Sequence, residues 1–219
     1  MSKYGYESCT LVDREDKITK EEAHRMWKVP PEKNNWKENS PEDYKAPTKR
    51  SEYFVSMACD YLNSDSNILE IGCNVGRNLE HLYESGYENL SGIEINSDAI
   101  NLMKESYPLM YQSSNIFNGC VEDIIPTLKT DSYECIYTIA VLEHIHHDSE
   151  FIFEHMKRIA SKYIITIEDE KTTWSDRHFP RNYQSVFEDN NWEQVFVKNL
   201  GIAEDLDDRF FARIFKKGD

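Results

Sequence analysis

The sequence predicts an α/β fold: a doubly wound, mostly parallel seven-stranded sheet with helices on both faces and an antiparallel C-terminal hairpin. Three observations carry that prediction. From Pro47 onward, short apolar runs alternate with stretches of helical periodicity, the βαβα order of a parallel sheet. The run 135–140 is apolar apart from Thr138, as a strand covered on both faces requires. The last two runs, 194–197 and 210–215, leave no room for a crossover helix, so they pair as a hairpin at one sheet edge.

Taken in order, residues 1–46 form a polar arm with one short helix near 20–28. Its Trp27, Trp36 and Tyr44 are out of place in a solvated tail, because aromatic rings gain most when buried. The arm therefore either packs on the body or covers a site as a lid. Residues 48–62 make an amphipathic helix through Tyr53, Met57 and Tyr61. The first strand, 67–71, runs into a glycine-containing turn and a helix over 77–85, with Leu79 and Leu82 on one face and Gly86 as its stop. A second strand spans 90–95, and Ser97 caps a helix that runs to 107. A third strand at 116–120 leads to a short helix over 124–128, and the fourth strand is 135–140. A helix over 149–161 turns Phe151, Phe153, Met156 and Ile159 inward. The fifth strand is 162–167, followed by a polar loop over 169–182 and a short helix starting near Tyr183.

Composition narrows the function. The 219 residues carry 25 Lys and Arg against 40 Asp and Glu, a net charge of −15. Residues 1–50 hold 11 basic and 10 acidic side chains, so the excess negative charge lies almost wholly in the body. Such a body repels phosphate backbones and anionic headgroups, which argues against nucleic-acid and membrane partners. No stretch approaches the roughly 18 apolar residues of a membrane span, and residues 1–17 lack a signal-peptide core. Five scattered cysteines without a C-x-x-C pair read as reduced thiols of a cytoplasmic protein.

The turn after the first strand reads Glu70-Ile71-Gly72-Cys73-Asn74-Val75-Gly76-Arg77-Asn78. A strand, a tight turn and a helix bring backbone N–H groups up to a nucleotide. A dinucleotide fingerprint would place glycines at 72, 74 and 77, and Arg77 occupies the position where close packing needs the third. No Gly-Lys-Ser/Thr follows, so a P-loop is excluded as well. The second strand ends in Glu94-Ile95, where a carboxylate accepts hydrogen bonds from both hydroxyls of an unphosphorylated ribose. The third strand is followed by Gly119-Cys120-Val121-Glu122-Asp123, and the fourth ends in Ile139-Ala140-Val141-Leu142-Glu143-His144-Ile145.

These four segments, in this order, resemble the class I S-adenosylmethionine-dependent methyltransferases, and the Leu-Glu-His-Ile ending resembles their ubiquinone-biosynthesis-type small-molecule branch. The likeness covers residues 50–168, continues to 217 only as a strand pattern and leaves the arm uncovered. Asn74 departs from the middle glycine of the family's (D/E)-x-G-x-G-x-G turn, and Asn tolerates the left-handed backbone required there. The resemblance implies a Rossmann-like methyltransferase domain at 47–219 with an arm or lid at 1–46, and S-adenosylmethionine as cofactor. It further implies that Glu70 helps hold the aminoacyl end, that Gly72 and Gly76 leave room for the cofactor's sugar and methionine chain, that Cys73, Asn78 and Ile95 are cofactor-binding, and that Glu94 meets the ribose. Glu122 or Asp123, with Asp123 preferred, accepts from the adenine amine, and Ile139 and Ala140 line the methionine chain. Arg50, or its neighbour Lys49, meets the cofactor carboxylate.

Methyl transfer from a sulfonium is an in-line displacement, so positioning is the main task and a base is needed only for a protonated acceptor. His144 and His178 are the candidate bases. The H-x-H-H run of His144, His146 and His147 beside Asp148 does not aim its members at one ion, and no metal is expected. The loop 169–183 gathers Lys171, Arg177, His178 and Arg181 on an otherwise acidic chain, and Arg suits a carboxylate or phosphoryl group. The sequence thus points to methyl transfer onto a small anionic metabolite, at oxygen before nitrogen. Trp36, Tyr44, Arg177, Arg181 and Tyr183 are the expected substrate contacts, in a monomer or homodimer. The alternatives are methylation of a protein or peptide, and a non-catalytic cofactor-binding subunit of another enzyme.

Overall fold

Strand β1 (Asn67–Ile71) sits at the centre of the sheet, and four of its five residues are buried. Its alternation sorts the core. Ile68 points to one face and packs with Phe54, Leu79 and Leu82, whereas Leu69 and Ile71 point to the other and meet Ile152, Phe153 and Met156. The computed structural model describes residues 18–29, 40–46, 48–173, 175–201 and 206–218.

Around β1, the strands β2 (Asn89–Glu94), β3 (Asn115–Asn118), β4 (Tyr133–Ile139) and β5 (Ala160–Asp169) are all parallel. β6 (Trp192–Asn199) and β7 (Phe210–Lys217) close one edge antiparallel, giving the order β3-β2-β1-β4-β5-β7-β6. The fold class matches the sequence expectation. The order reverses between β1 and β4, and the crevice outside their carboxyl ends is where ligands bind in open α/β sheets.

Helices α2 (Lys49–Ala58), α3 (Arg77–Glu84), α4 (Ser97–Ser106) and α5 (Pro108–Ser113) contribute Phe54, Met57, Leu79, Leu82, Met103 and Met110 to the first core face. α6 (Val121–Ile124), α7 (Phe151–Ile159) and α8 (Tyr183–Phe187) serve the second. From the arm, α1 (Lys20–Lys28) begins at a Thr19–Glu22 capping box and buries Ala23.

Several expectations are corrected. Asn96, not Ser97, caps α4, because its side chain accepts from the backbone of Asp98 and Ala99. Pro108 starts a separate helix, α5, where the sequence suggested only a helix end. The short helix after β3 begins at Val121, three residues earlier than expected. Phe151 is 45% exposed, and its neighbour Ile152 takes the buried position, because α7 starts at 151 and its first turn faces solvent.

Three residues of the turn after β1 adopt the left-handed region: Gly72 (φ 71°), Asn74 (φ 48°) and Gly76 (φ 77°). A Cβ on Gly76 would lie 2.8 Å from both Met103 Cγ and Met110 Cε. Gly76→Ala should therefore cost roughly 1 to 3 kcal/mol from backbone strain and crowding. Thermal melting followed by circular dichroism should show Tm lowered by several degrees. An unchanged Tm would contradict this account of the turn.

Candidate active site

Glu70, at the end of β1, is 1% exposed. A carboxyl so placed must be hydrogen-bonded, and it is: Asn78 Nδ2 donates to Oε1 (2.7 Å) and Tyr137 Oη donates to Oε2 (2.9 Å). The network extends outward. Ser51 Oγ donates to Asn78 Oδ1 (2.7 Å), Arg77 Nε donates to Ser51 Oγ (3.1 Å), and Arg77 Nη1 reaches the carbonyls of Tyr44 and Ala46. Burial pushes the Glu70 carboxyl up to about 7. The side chain thus braces the turn from behind, while Gly72, Cys73, Asn74, Val75, Arg77 and Asn78 line a cavity of about 320 Å³ in front of it.

At the tip of β2, Glu94 lines that cavity. Its Oε2 accepts from the backbone N–H of Asn74 (2.8 Å) and its Oε1 from that of Asn96 (2.7 Å). Burial raises its pKa. The backbone of Ile95 also bonds the carboxylate, which has about four lone-pair sites in all, and the buried Oδ1 of Asn74 has no hydrogen-bond partner. Acceptor capacity is therefore left over beside the turn. Ile95, Gly119, Cys120, Val121 and Glu122 continue the wall. Glu122 is engaged by His24 Nε2 of α1 at 2.7 Å. Asp123 is exposed and lies outside the lining, so the preference for it over Glu122 is corrected: the first turn of α6 rotates Asp123 to solvent.

The opposite wall comes from β4, the loop after β5 and the arm. Ile139 and Ala140 line it at the strand end, and Ala140 takes a left-handed φ of 57°. Arg50, Tyr44 and Trp27 line it as well, so both described aromatics of the arm face the cavity; Trp36 lies outside the described residues. The fields of Arg177, Arg50 and Arg77 all reach the Tyr44 phenol, although burial raises its pKa. All three arginines line the cavity.

His144 is the centre of a ring cluster, 4.4 Å from Trp27 and 4.6 Å from His178 between centroids, with the Arg177 guanidinium 5.3 Å from the Trp27 ring. Its Nδ1 lies 3.0 Å from the Arg177 carbonyl. A carbonyl only accepts, so Nδ1 carries the proton and Nε2 holds a bare lone pair. Burial, reinforced by His178, drives His144 down to about 3, and burial lowers His178 too. Both rings are neutral near pH 7. Behind them, Glu168 Oε2 accepts from the N–H groups of Val141 and Leu142 (2.9 Å each), and Glu143 Oε2 accepts from Asp169 (2.5 Å). Burial raises both carboxyls, Glu168 to about 7, and the neighbouring Glu168 raises Glu143 further, whereas a hydrogen bond with Glu143 favours ionised Glu168.

Two substrate candidates are corrected. Arg181 does not line the cavity, because its guanidinium is held by Glu150 Oε1 (2.9 Å), the Phe179 carbonyl (2.8 Å) and His147. Tyr183 is fully buried against Phe153 and Phe187 in the second core face, since α8 presents it inward. His146 and His147 also diverge from His144: His146 Nε2 meets the Ile18 carbonyl and His147 Nδ1 meets Glu150. The sequence reading missed Trp27, His24, Arg77, Cys120 and Glu143 as lining residues. Trp27 alone carried a signal, as an aromatic in a polar arm.

A family of methyltransferase domains matches residues 39–197, nearly three quarters of the chain. The chain belongs to this family, the S-adenosylmethionine-dependent methyltransferases. A ubiquinone biosynthesis O-methyltransferase, mitochondrial, from Candida albicans is 25% identical over 127 residues; the match covers 54% of this chain and 38% of that protein. Among solved structures, the PH0226 protein of Pyrococcus horikoshii OT3 shares the fold at a TM-score of 0.64 and 12% identity, over 89% of this chain and 96% of that one. Magnesium protoporphyrin IX methyltransferase of Synechocystis PCC 6803, with bound SAH, does so at 0.62 and 12%, over 77% and 82%. The methyltransferase's cavity fits S-adenosylmethionine by its donor set. It offers a strand-end carboxylate with spare acceptor capacity at Glu94, an orphaned acceptor at Asn74 and a guanidinium at Arg50. Among the described residues no helix is long and apolar enough to cross a membrane.

Two outcomes test this site. Glu94→Ala should weaken S-adenosylmethionine binding by about 100-fold, the loss expected for hydrogen bonds to a charged group; undiminished binding by calorimetry would contradict the assignment. His144 has a folded pKa near 3 against an ordinary value of 6.5. The unfolded chain therefore takes up the proton first, and the stability contributed by neutral His144 is full above pH 6.5 and lost on descending toward 3. The difference in unfolding free energy between the protein and His144→Phe should change by a few kcal/mol across that window, measured by urea denaturation at each pH.

Proposed function

We propose that this methyltransferase transfers the methyl group of S-adenosylmethionine to an ionised oxygen, a carboxylate or phosphoryl oxygen, of a small anionic metabolite. The observation that supports this most directly is the pairing of Arg177 with neutral His144 and His178 on one wall of a cavity closed by the arm. When bound, S-adenosylmethionine supplies a methyl group on a cationic sulfur that departs as a neutral thioether. The chain's task is then to bring an acceptor oxygen into line and keep water out. His144 Nε2 can accept a hydrogen bond, but a ring driven to about 3 does not retain a proton near neutrality. The acceptor must bring its own nucleophilic oxygen, and an oxyanion does so without a base. Arg177, which lines the cavity with His144 and His178, supplies the charge that holds it.

The cavity of about 320 Å³ is at the small end for ligand sites, which favours a metabolite over a peptide. The oxygen assignment is supported by the name of the Candida relative, an O-methyltransferase. In this reading residues 1–46 act as a lid on a domain spanning 47–219: α1 and the turn Pro41–Tyr44 bring Trp27 and Tyr44 over the cavity. Free thiols at Cys59, Cys73, Cys120 and Cys135 suit a reducing compartment, the cytoplasm. The acidic body suits action on a free metabolite, as a monomer or homodimer without nucleic acid.

With labelled S-adenosylmethionine and a panel of small carboxylates and phosphorylated metabolites, label should appear as an ester on one class. Arg177→Ala should raise KM for that acceptor by about 10- to 100-fold while cofactor affinity stays within twofold. Equal KM in the variant would remove the anion-binding role, and transfer only to neutral amines would overturn the oxygen assignment. The pH profile of kcat should lack an inflection from His144 near 6.5.

A further inference from the structure

A second group of side chains lines the cavity where the arm meets the turn after β3. His24 comes from α1, and Cys120 and Glu122 come from the start of α6. His24 Nε2 lies 2.7 Å from Glu122 Oε1, and Cys120 Sγ lies 3.9 Å from His24 Nδ1. One donor atom from each residue falls within 4.8 Å of the others, and all three residues line the cavity. Thiolate, imidazole and carboxylate together make a donor set for a borderline divalent metal; magnesium and calcium would ask for oxygens alone.

We propose that His24, Cys120 and Glu122 bind a Zn²⁺-type transition-metal ion that fastens helix α1 to the sheet domain. Zinc holds nitrogen, oxygen and sulfur donors at about 2.0 to 2.3 Å, so donors already this close converge on one ion by side-chain rotation. Binding breaks the Cys120 S–H bond, forms an S–Zn bond and releases the proton to solvent. His24 coordinates through a ring lone pair, and Glu122 coordinates as a carboxylate. Three protein donors leave a fourth position for water. The ion replaces a single hydrogen bond between α1 and Glu122 with bonds to both elements. Because α1 also carries Trp27, a metal-fastened α1 keeps the arm closed over the cavity.

The test uses the full-length, chelator-treated protein. Zn²⁺ titrated against a chromophoric chelator should bind with one-to-one stoichiometry, and Co²⁺ should give a thiolate-to-cobalt absorption band. His24→Ala and Cys120→Ser should each weaken Zn²⁺ by roughly tenfold or more, and Cys120→Ser should abolish the cobalt–thiolate band. His178→Ala and Cys59→Ser, which remove candidate donors elsewhere, should leave both readouts unchanged. Circular dichroism confirms that each variant is folded. Hydrogen exchange of residues 20–28 should slow on adding Zn²⁺ to the unaltered protein. A band that survives Cys120→Ser, affinity that depends on His178 instead of His24, or no metal uptake would each overturn the proposal.

Discussion

The interior carboxyl of Glu70 is the constraint on which the rest of the site depends. Removing such a group from water costs several kcal/mol unless every lone pair finds a partner, and the partners fix geometry. Asn78 from α3 and Tyr137 from β4 bond it directly; Ser51 from α2 and Arg77 from α3 complete the chain to the arm's carbonyls at 44 and 46. The polar network therefore locks two strands, two helices and the arm in one register around the turn 72–76. The turn can then expose its backbone to a ligand without losing its shape.

A second buried acidic node does comparable work on the other side of the cavity. Glu168 accepts from the N–H groups at 141 and 142, Glu143 accepts from that of Asp169, and Phe179 N–H donates to the Glu143 carbonyl. The loop after β5 is thereby held to the end of β4, and the Arg177 carbonyl arrives opposite His144 Nδ1. That contact selects the tautomer, and desolvation keeps the ring neutral. The same fold that places a histidine on the cavity wall removes most of its basicity.

Charge is distributed to match. The chain carries a net −15, yet Arg50, Arg77 and Arg177 all line the cavity. Acidic surroundings discourage large polyanions, and a recessed cluster of guanidinium groups still attracts a small one. The arm takes part twice, with Trp27 against His144 and Arg177, and His24 against Glu122 and Cys120.

The sequence by itself determined what depends on local order. Alternating apolar runs set the parallel sheet, the two nearby terminal strands set the hairpin, and Glu70, Gly72, Gly76 and Glu94 stood at positions that a strand–turn–helix unit dictates. Left-handed backbone at Asn74 followed from the residue type. Helix starts were less legible at 96 and 121, because several polar residues competed for each cap. Tertiary structure alone decided which distant residues share the cavity. Arg181 and Arg177 lie four positions apart in one polar loop, and only packing turned one to Glu150 and the other to Trp27. Tyr183 was drawn into the core by the face of α8, and the His24–Cys120–Glu122 group joins segments nearly 100 residues apart. Periodicity encodes burial along one element, whereas a site is a meeting of several, and their relative placement is fixed by packing and by buried polar partners.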